Sequence, residues 1–122
     1  MRKIITMVCL ILSTAIIAQV PSDENPKIGT ITGKVIDGTS SEVLPYVSIV
    51  IKNAKDELLT GGITDDNGEF NIRQIPIGET IIEIQYIGYH TETQRINLTR
   101  ENNRVNIGTI VMNEEATALN EI

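Results

Sequence analysis

Few side chains in this sequence are suited to catalytic or metal chemistry. Among 122 residues, His90 is the only histidine and Cys9 the only cysteine. A typical zinc site takes its ligands from several Cys and His residues, and this pair cannot supply one. His90 also has no serine and acid placed in the order that nucleophilic hydrolases use. We therefore predict no catalytic residue, no cofactor and no metal site, and we interpret His90 as a solvated residue at the start of a strand.

The run Asp65-Asp66-Asn67-Gly68-Glu69 is the nearest approach to a cation site. An EF-hand calcium loop spreads its ligands over about twelve residues and ends in a bidentate Glu, and this run does not have that spacing. A Gly that follows Asp or Asn instead supplies the positive φ that a short turn between strands needs. We therefore predict a hairpin turn here rather than a metal site.

Tyr86 and Tyr89, within Tyr86-Ile87-Gly88-Tyr89, are the candidate contact residues for a ligand or a protein partner. The two rings could form a stacking surface for a sugar. A second interpretation places Tyr86 in the core and Tyr89 at its rim, with the Tyr89 hydroxyl bonded to the backbone. The second interpretation is favoured, because a pair of tyrosines without Trp makes a thin sugar platform.

The composition indicates a β protein that does not bind nucleic acid. Ile and Val dominate the hydrophobic residues, whereas aromatic residues make up only 3% of the chain and Trp is absent. β-Branched aliphatic residues with frequent Gly and Thr favour strands over helices. The formal net charge of −6 argues against a nucleic-acid partner, because phosphate binding needs a clustered basic face.

Residues 1–18 have the form of a secretory signal peptide. Arg2 and Lys3 precede an apolar run over residues 4–17, and Ala18 supplies a small residue before a cleavage point. A short membrane anchor is the alternative, but the run is shorter than the ~20 residues that a spanning helix needs. Cys9 lies in the middle of the run, so it is not the lipidated residue of a lipoprotein. We predict export to the periplasm or to the outer membrane.

Cleavage after Ala18 has consequences for the mature chain. It removes Arg2, Lys3 and Cys9, and the formal net charge changes from −6 to −8. The mature chain then contains no Cys, so it has neither a disulfide nor a thiol nucleophile. An exported protein of this kind depends on its hydrophobic core alone for stability.

Hydrophobic alternation predicts an all-β fold, a seven-stranded antiparallel β-sandwich over residues 29–112. Residues 19–28 contain two prolines and mixed charges and are interpreted as a linker. Short alternating segments with turn residues between them are typical of a sandwich. The seven predicted strands are 29–36, 46–52, 58–64, 69–72, 80–86, 90–98 and 105–112. We expect a bulge or a close backbone approach at Gly61-Gly62, and a bulge near Gly108.

Five short motifs together resemble the carboxypeptidase-regulatory-like domain, over about residues 29–112. They are Gly29-x-Ile31-x-Gly33-x-Val35-x-Asp37, Leu44-Pro45-x-Val47-x-Ile49, Thr64-Asp65-Asp66-Asn67-Gly68-Glu69-Phe70-x-Ile72, Ile75-Pro76-x-Gly78 and Tyr86-Ile87-Gly88-Tyr89. Each motif is short, but their order makes the combination specific. The resemblance implies a transthyretin-like sandwich of seven strands.

Residues 113–122 are acidic and lose the alternation of the strands. We interpret them as a tail or linker that has no partner in the sandwich and that leads to a further domain. Its end, Ala118-Leu119-Asn120-Glu121-Ile122, resembles the entry to the plug of a TonB-dependent outer-membrane receptor. In Bacteroidetes, domains of the family that the chain resembles commonly follow a signal peptide and precede such a plug and its barrel.

The resemblance implies a non-enzymatic accessory domain of the periplasm or outer membrane. It would be the N-terminal domain of a TonB-dependent nutrient-uptake receptor, or a solo relative. Its partner would be a protein of the cell envelope or a downstream receptor plug and barrel. A cell-surface carbohydrate-binding or adhesive sandwich, with Tyr86 and Tyr89 on a carbohydrate, is the alternative function, and an enzyme is a third.

Overall fold

The computed structural model describes residues 25–116, and within them all regular secondary structure is β. The strands are β1 (Gly29–Asp37), β2 (Ser48–Asn53), β3 (Leu58–Ile63), β4 (Glu69–Ile75), β5 (Gly78–Gln85), β6 (Glu92–Leu98) and β7 (Arg104–Met112). The predicted signal peptide, most of the predicted linker and the end of the predicted tail lie outside the described residues. Residues 25–116 contain no apolar helix of bilayer-spanning length.

The seven strands form two sheets that pack face to face. Sheet A has the strand order β4-β1-β7, and sheet B has the order β3-β2-β5-β6. The core between them is dominated by isoleucine, and its buried members are Ile31, Val35, Leu44, Val47, Ile49, Ile51, Phe70, Ile72, Ile75, Ile82, Ile84, Leu98, Ile110 and Met112. The predicted seven-stranded sandwich is confirmed.

Alternation along each strand decides which residues enter this core. In β1, Ile31 and Val35 are fully buried, whereas Thr32 between them faces away from the core. Across sheet B, Ile49 of β2 lies directly opposite Ile84 of β5, and both side chains are buried. Such β-branched cross-strand pairs are the units that stabilise a sheet of this composition.

β1 and β7 pair in parallel, so the sandwich is not antiparallel throughout. Seven register positions join them, from Thr30 opposite Arg104 to Asp37 opposite Met112, whereas the other four strand pairs are antiparallel. Strands joined by a short turn run antiparallel, but β1 and β7 are the first and last strands, and all of the intervening chain connects them. The prediction is corrected at this one pair. Because the pair is parallel, the sandwich is entered at one end and left at the opposite end.

The turn at residues 65–68 carries the chain from sheet B to sheet A. The Gly68 N–H donates to the Asp65 carbonyl at 3.0 Å, and the Asp65 N–H donates to the Glu69 carbonyl at 2.8 Å. The Asp65 Oδ1 accepts from the N–H groups of Asn67 and Glu69 at 2.9 Å each. The predicted turn is confirmed, but it does not join paired strands, because β3 pairs with β2 and β4 pairs with β1.

Thr64 holds the chain at this crossing point, and it is only 1% exposed. Its Oγ1 accepts from the Val47 N–H at 2.9 Å and donates to the Leu44 carbonyl at 2.7 Å. Its N–H donates to the Val47 carbonyl at 3.0 Å, and its carbonyl accepts from the Tyr46 N–H at 3.0 Å. Thr64 thereby ties the end of β3 to the segment that enters β2.

Irregularities in strand pairing fall on strands at the sheet edges. Two residues of β7, Ile107 and Gly108, oppose a single residue of β1, which confirms the predicted bulge near Gly108. In β3 the register shift lies at Leu59 and not at the pair of glycines. The predicted close backbone approach lies at Gly61, where a Cβ atom would be 2.7 Å from the Ile49 carbonyl oxygen, and a Cβ atom at Gly62 would lie 2.5 Å from the Ile72 side chain.

Two strands begin later than predicted because turns occupy their expected first residues. β2 begins at Ser48 rather than at residue 46, since Tyr46 has a φ of 60° and belongs to the preceding turn. β6 begins at Glu92 rather than at residue 90, since the N–H of His90 donates to the Asn113 carbonyl at 2.9 Å instead of to a strand of sheet B.

Replacing Thr64 with Val tests the buried hydroxyl. Val keeps the shape and the β-branch, but it leaves the Val47 N–H and the Leu44 carbonyl each without a partner. We expect Thr64→Val to lower the free energy of unfolding by about 1–3 kcal/mol, since a buried polar group left unsatisfied costs that much. Urea denaturation followed by circular dichroism measures the change.

Thr93→Val is the matched control for this substitution. Thr93 is exposed on β6, so the same chemical change there should alter stability by less than about 0.5 kcal/mol. Equal stability of Thr64→Val and the native protein would contradict the assigned role of the hydroxyl.

Candidate functional site

The segment Tyr86-Ile87-Gly88-Tyr89 forms a tight turn directly after β5. The Tyr89 N–H donates to the Tyr86 carbonyl at 3.0 Å, and Gly88 has a φ of 86°. A Gly with positive φ at the third position is the requirement of a type II turn. β1, β5 and β7 all end at this side of the sandwich, which we call the exit end.

The turn brings the two candidate tyrosines together. Their ring centroids lie 5.4 Å apart with an angle of 33° between the planes. Both rings are half-buried and pack against the core, and the Tyr89 hydroxyl donates to the Asp37 Oδ2 at 2.9 Å. Because the rings are tilted and partly covered, they do not form one flat face. The geometry favours the interpretation of Tyr89 as a rim residue, although its partner is a carboxylate and not the backbone.

The contact between Asp37 and Tyr89 changes the pKa of both groups. The N–H of Thr39 donates to the Asp37 Oδ1 at 2.8 Å, and this bond, followed by the one from Tyr89, lowers the pKa of Asp37 from its usual 3.8. The same Asp37 carboxylate raises the pKa of Tyr89 from 10.0 to about 12. Each group therefore keeps at neutral pH the protonation state that the bond requires.

The first residues of the tail pair with this turn. The N–H of His90 donates to the Asn113 carbonyl at 2.9 Å, and the N–H of Glu115 donates to the Gly88 carbonyl at 2.8 Å. Tyr89 and Glu114 thus form an antiparallel bridge. The prediction that the tail has no partner in the sandwich is wrong for these residues. The reason is geometric, since the parallel β7 delivers the chain to the end at which β5 also stops.

Ile87 projects from the tip of the turn and is 97% exposed. The bridge between Tyr89 and Glu114 lies two positions further along the turn, so the outgoing chain leaves close to an uncovered apolar side chain.

The other predicted residues lie at turns or on the surface. His90 is exposed, as we expected for a solvated residue. Asp65 closes the turn of residues 65–68, and the Asp66 Oδ1 accepts from the Tyr46 hydroxyl at 2.7 Å. Within residues 25–116, no three His, Cys, Asp or Glu side chains are grouped as metal ligands would be.

Asp37 and residues 113–115 were not identified from the sequence as parts of this site. Asp37 and Tyr89 are 52 positions apart, and no local pattern connects residues at that separation. The sequence connects Asp37 and Tyr89 in one respect only, because each is the last residue of one of the five family motifs.

The family model described as the CarboxypepD_reg-like domain matches residues 31–122, which is about three quarters of the chain. The chain belongs to this family. The resemblance predicted from the five motifs is therefore confirmed. No curated protein matches the chain.

Solved structures with the same sandwich include two bacterial pilins and one enzyme. BcpA, the major pilin subunit of Bacillus cereus, has a TM-score of 0.62 and 18% identity over 74% of this chain and 31% of BcpA. The group B streptococcus pilus 2b backbone protein has a TM-score of 0.54 and 23% identity over 73% of this chain and 42% of the pilin.

The 3-chlorocatechol 1,2-dioxygenase of Rhodococcus opacus 1CP has a TM-score of 0.53 and 14% identity over 76% of this chain and 62% of the enzyme. At these identities the likeness concerns the fold alone. The CarboxypepD_reg-like chain spans about a third of the length of BcpA. The same sandwich thus occurs in proteins with unrelated activities, so the fold alone does not identify a function.

Replacing Tyr89 with Phe tests the bond to Asp37 through its pH dependence. Because the folded-state pKa of Tyr89 lies above the unfolded value, the bond contributes stability below pH 10 that is lost as the pH rises from 10.0 towards about 12. We expect Tyr89→Phe to be less stable than the native domain at neutral pH and to lose less stability over the alkaline range. Urea denaturation at a series of pH values measures both effects.

Tyr86→Phe is the control, since its hydroxyl makes no hydrogen bond to residues 25–116 in the structure. It should retain the native alkaline profile. An alkaline profile of Tyr89→Phe that matches the native one would contradict the assigned bond.

Proposed function

We propose that this CarboxypepD_reg-like domain is a non-enzymatic accessory module of the cell envelope, exported by its N-terminal segment. It acts as the N-terminal domain of a TonB-dependent nutrient-uptake receptor or as a solo relative of such a domain. Its partner is the receptor plug and barrel or another protein of the periplasm or outer membrane. The family membership and the signal-peptide pattern of residues 1–18 support this proposal.

The observation that carries the proposal is the fixed exit of the chain. Asn113 and Glu115 are hydrogen-bonded to the turn that follows β5, so the direction in which the tail leaves is set by the sandwich. A domain that only trailed from a flexible linker would need no such pairing. The pairing places residues 113–115 beside the turn that carries Ile87.

The chain enters and leaves the sandwich at opposite ends, and this arrangement suits a domain that lies in line between the segments before and after it. The parallel pairing of β1 and β7 separates the two ends of the described chain by the length of the sandwich. Strands of nine residues at about 3.3 Å per residue put the ends roughly 30 Å apart. A module of this shape holds a preceding segment away from the domain that follows it.

Contact at the exit end would be made by the turn rather than by a pocket. Ile87 is the most exposed of the large apolar side chains in residues 25–116, and the bond between Tyr89 and Asp37 holds the base of its turn. A rigid turn that presents one apolar side chain loses little conformational entropy when it binds. Burial of Ile87 against a plug would therefore be favourable.

Site-specific cross-linking tests this contact. A photoreactive amino acid in place of Ile87, in the full protein expressed in its own cell, is expected to cross-link to an outer-membrane receptor, either a separate chain or a later part of the same chain. Mass spectrometry identifies the linked peptide. The same substitution at Leu58 is the control, since Leu58 is 70% exposed but lies at the opposite end of sheet B. Equal cross-linking from both positions would contradict the proposal.

The receptor assignment has a separate genetic test. Reading the transcript beyond codon 122 is expected to show either a reading frame that continues into a plug and barrel or an adjacent gene for a barrel. A stop codon with no barrel gene nearby would remove the assignment.

A further inference from the structure

The outer face of sheet A carries a regular array of polar side chains. Register places Thr30 of β1 opposite Arg104 of β7, and Thr32 opposite Asn106. On the other side of β1, Thr32 lies opposite Asn71 of β4. One row across the three strands therefore consists of Asn71, Thr32 and Asn106. The neighbouring row contains Thr30 and Arg104.

A bulge in β4 completes the arginine row. The register between β1 and β4 shifts between Gly29 and Ile31, so that Arg73 and Gln74 together oppose Thr30. The extra residue allows Ile75 to return to the core while Arg73 points outward. Gln74 has a φ of 57°, a conformation that costs energy for a residue with a Cβ. Bulges of this kind re-aim side chains and occur often beside binding sites.

These arginines and a nearby lysine give the face a positive charge within an acidic protein. Arg73 and Arg104 flank Thr30, and Lys34 lies four positions further along β1, opposite Glu69 of β4. Among residues 25–116, the ion pairs of the structure involve Lys52 and Arg95 but none of these three cations. The chain as a whole has a formal charge of −6. Arg73 and Arg104, which share a depression that no carboxylate lines, can attract an anionic ligand.

The face is also concave along its length. One depression of about 420 Å³ is lined by both arginines together with Thr30, Thr32, Asn71 and Asn106. A second depression of about 570 Å³ adjoins it and shares Thr32, Asn71 and Asn106, and its far end is lined by Lys34 together with the carboxylates of Asp65 and Glu69. The two depressions form one shallow trough across the sheet. Its first part, which we call the arginine end, offers hydroxyl, amide and guanidinium groups and no carboxylate, whereas the second part carries the Asp65 and Glu69 carboxylates.

We propose that the arginine end of this trough binds an acidic oligosaccharide of the uronic acid class. The guanidinium groups of Arg73 and Arg104 would each take a sugar carboxylate, since their planar fork matches a carboxylate in a bidentate manner. The side chains of Thr32, Asn71 and Asn106 both donate and accept hydrogen bonds, which suits the hydroxyl groups of a sugar chain. The site is distinct from Tyr86 and Tyr89.

A protein partner fits this face less well. Stable protein interfaces bury about 800 Å² on each partner around aromatic or aliphatic anchor residues. The two rows at the arginine end are made of Thr, Asn, Arg and Gln. A polar ligand that is narrow enough for a trough of three strands, and that carries both hydroxyl and carboxylate groups, matches the face better. An acidic peptide is the competing ligand, and the test separates the two.

Titration of the full chain with tetragalacturonate tests the proposal. We expect binding that weakens as salt is added, because exposed charges are screened. The double variant Arg73→Gln, Arg104→Gln should bind roughly tenfold or more weakly, since one lost hydrogen bond to a charged group is worth about tenfold or more in affinity. Isothermal calorimetry measures the affinities. No binding by the native chain would overturn the proposal.

Three comparisons make the result specific. The variant Lys55→Gln, Arg95→Gln removes the same charge from sites outside the trough, and it should bind like the native chain. Maltotetraose, which has no carboxylate, should not bind. Tetraglutamate that binds as tightly as tetragalacturonate would overturn the proposal in favour of an acidic peptide.

Chemical-shift mapping on the native chain does not depend on any variant folding. The amides of Thr30, Thr32 and Asn71 should shift on addition of tetragalacturonate, and shifts confined to Tyr86 and Tyr89 would overturn the proposal. The proposed oligosaccharide site does not depend on the receptor assignment, so an experiment can overturn one of these proposals without the other.

Discussion

β1 and β7 pair in parallel over seven register positions, from Thr30 opposite Arg104 to Asp37 opposite Met112, and most of what is distinctive in this domain depends on that pairing. It brings Met112 to the end of β1, from which the tail continues to the turn after β5. It also sets Arg104 beside Thr30 on the outer face of sheet A. An antiparallel β7 would return the chain to the entry end and would break up both arrangements.

The sandwich keeps its edges irregular while its centre is regular. The pairings of β2 with β5 and of β5 with β6 contain no register shift, whereas the shifts lie on the edge strands β3, β4 and β7. A bulged edge is a poor template for a strand of another chain. The buried isoleucines of β2 and β5 thus supply the stability, and the edges are left free to position Arg73 outward and to hold Thr64 at the crossing between sheets.

Local patterns in the sequence predict those features that local physics determines. Alternation of Ile and Val located all seven strands, and Asp65 with Gly68 identified a turn, because side-chain period and positive φ act over a few residues. The bulge near Gly108 was visible as a change of phase. Pairing between distant segments leaves no such trace. The parallel β1–β7 ladder and the bond from Tyr89 to Asp37, 52 positions away, come from how whole strands stack, which only the folded chain reveals.

Because pairing between distant strands leaves no local pattern, the sequence indicated the two tyrosines as contact residues but not the arginines of sheet A. Tyr86 and Tyr89 were candidates because aromatic residues are rare in this sequence. In the structure their rings pack against the core at the turn to which residues 113–115 are hydrogen-bonded. Arg73 and Arg104 are unremarkable in the sequence, since 31 positions separate them. They belong to one face only because β1 lies between β4 and β7. A binding face assembled across a sheet is invisible to motif reading, even when every strand is located correctly.

Hydrogen bonds that involve carboxylates fix the protonation states of four side chains in residues 25–116. A general acid or base works best when its pKa lies near the operating pH. In residues 25–116 the resolved shifts go the other way: hydrogen bonds from Thr39 and Tyr89 lower the pKa of Asp37, and carboxylates raise those of Tyr46, Lys52 and Tyr89. Each of these groups is held more firmly in the protonation state it already has at neutral pH. These shifts therefore stabilise the hydrogen bonds that hold the turns and strands in place, as between Tyr89 and Asp37.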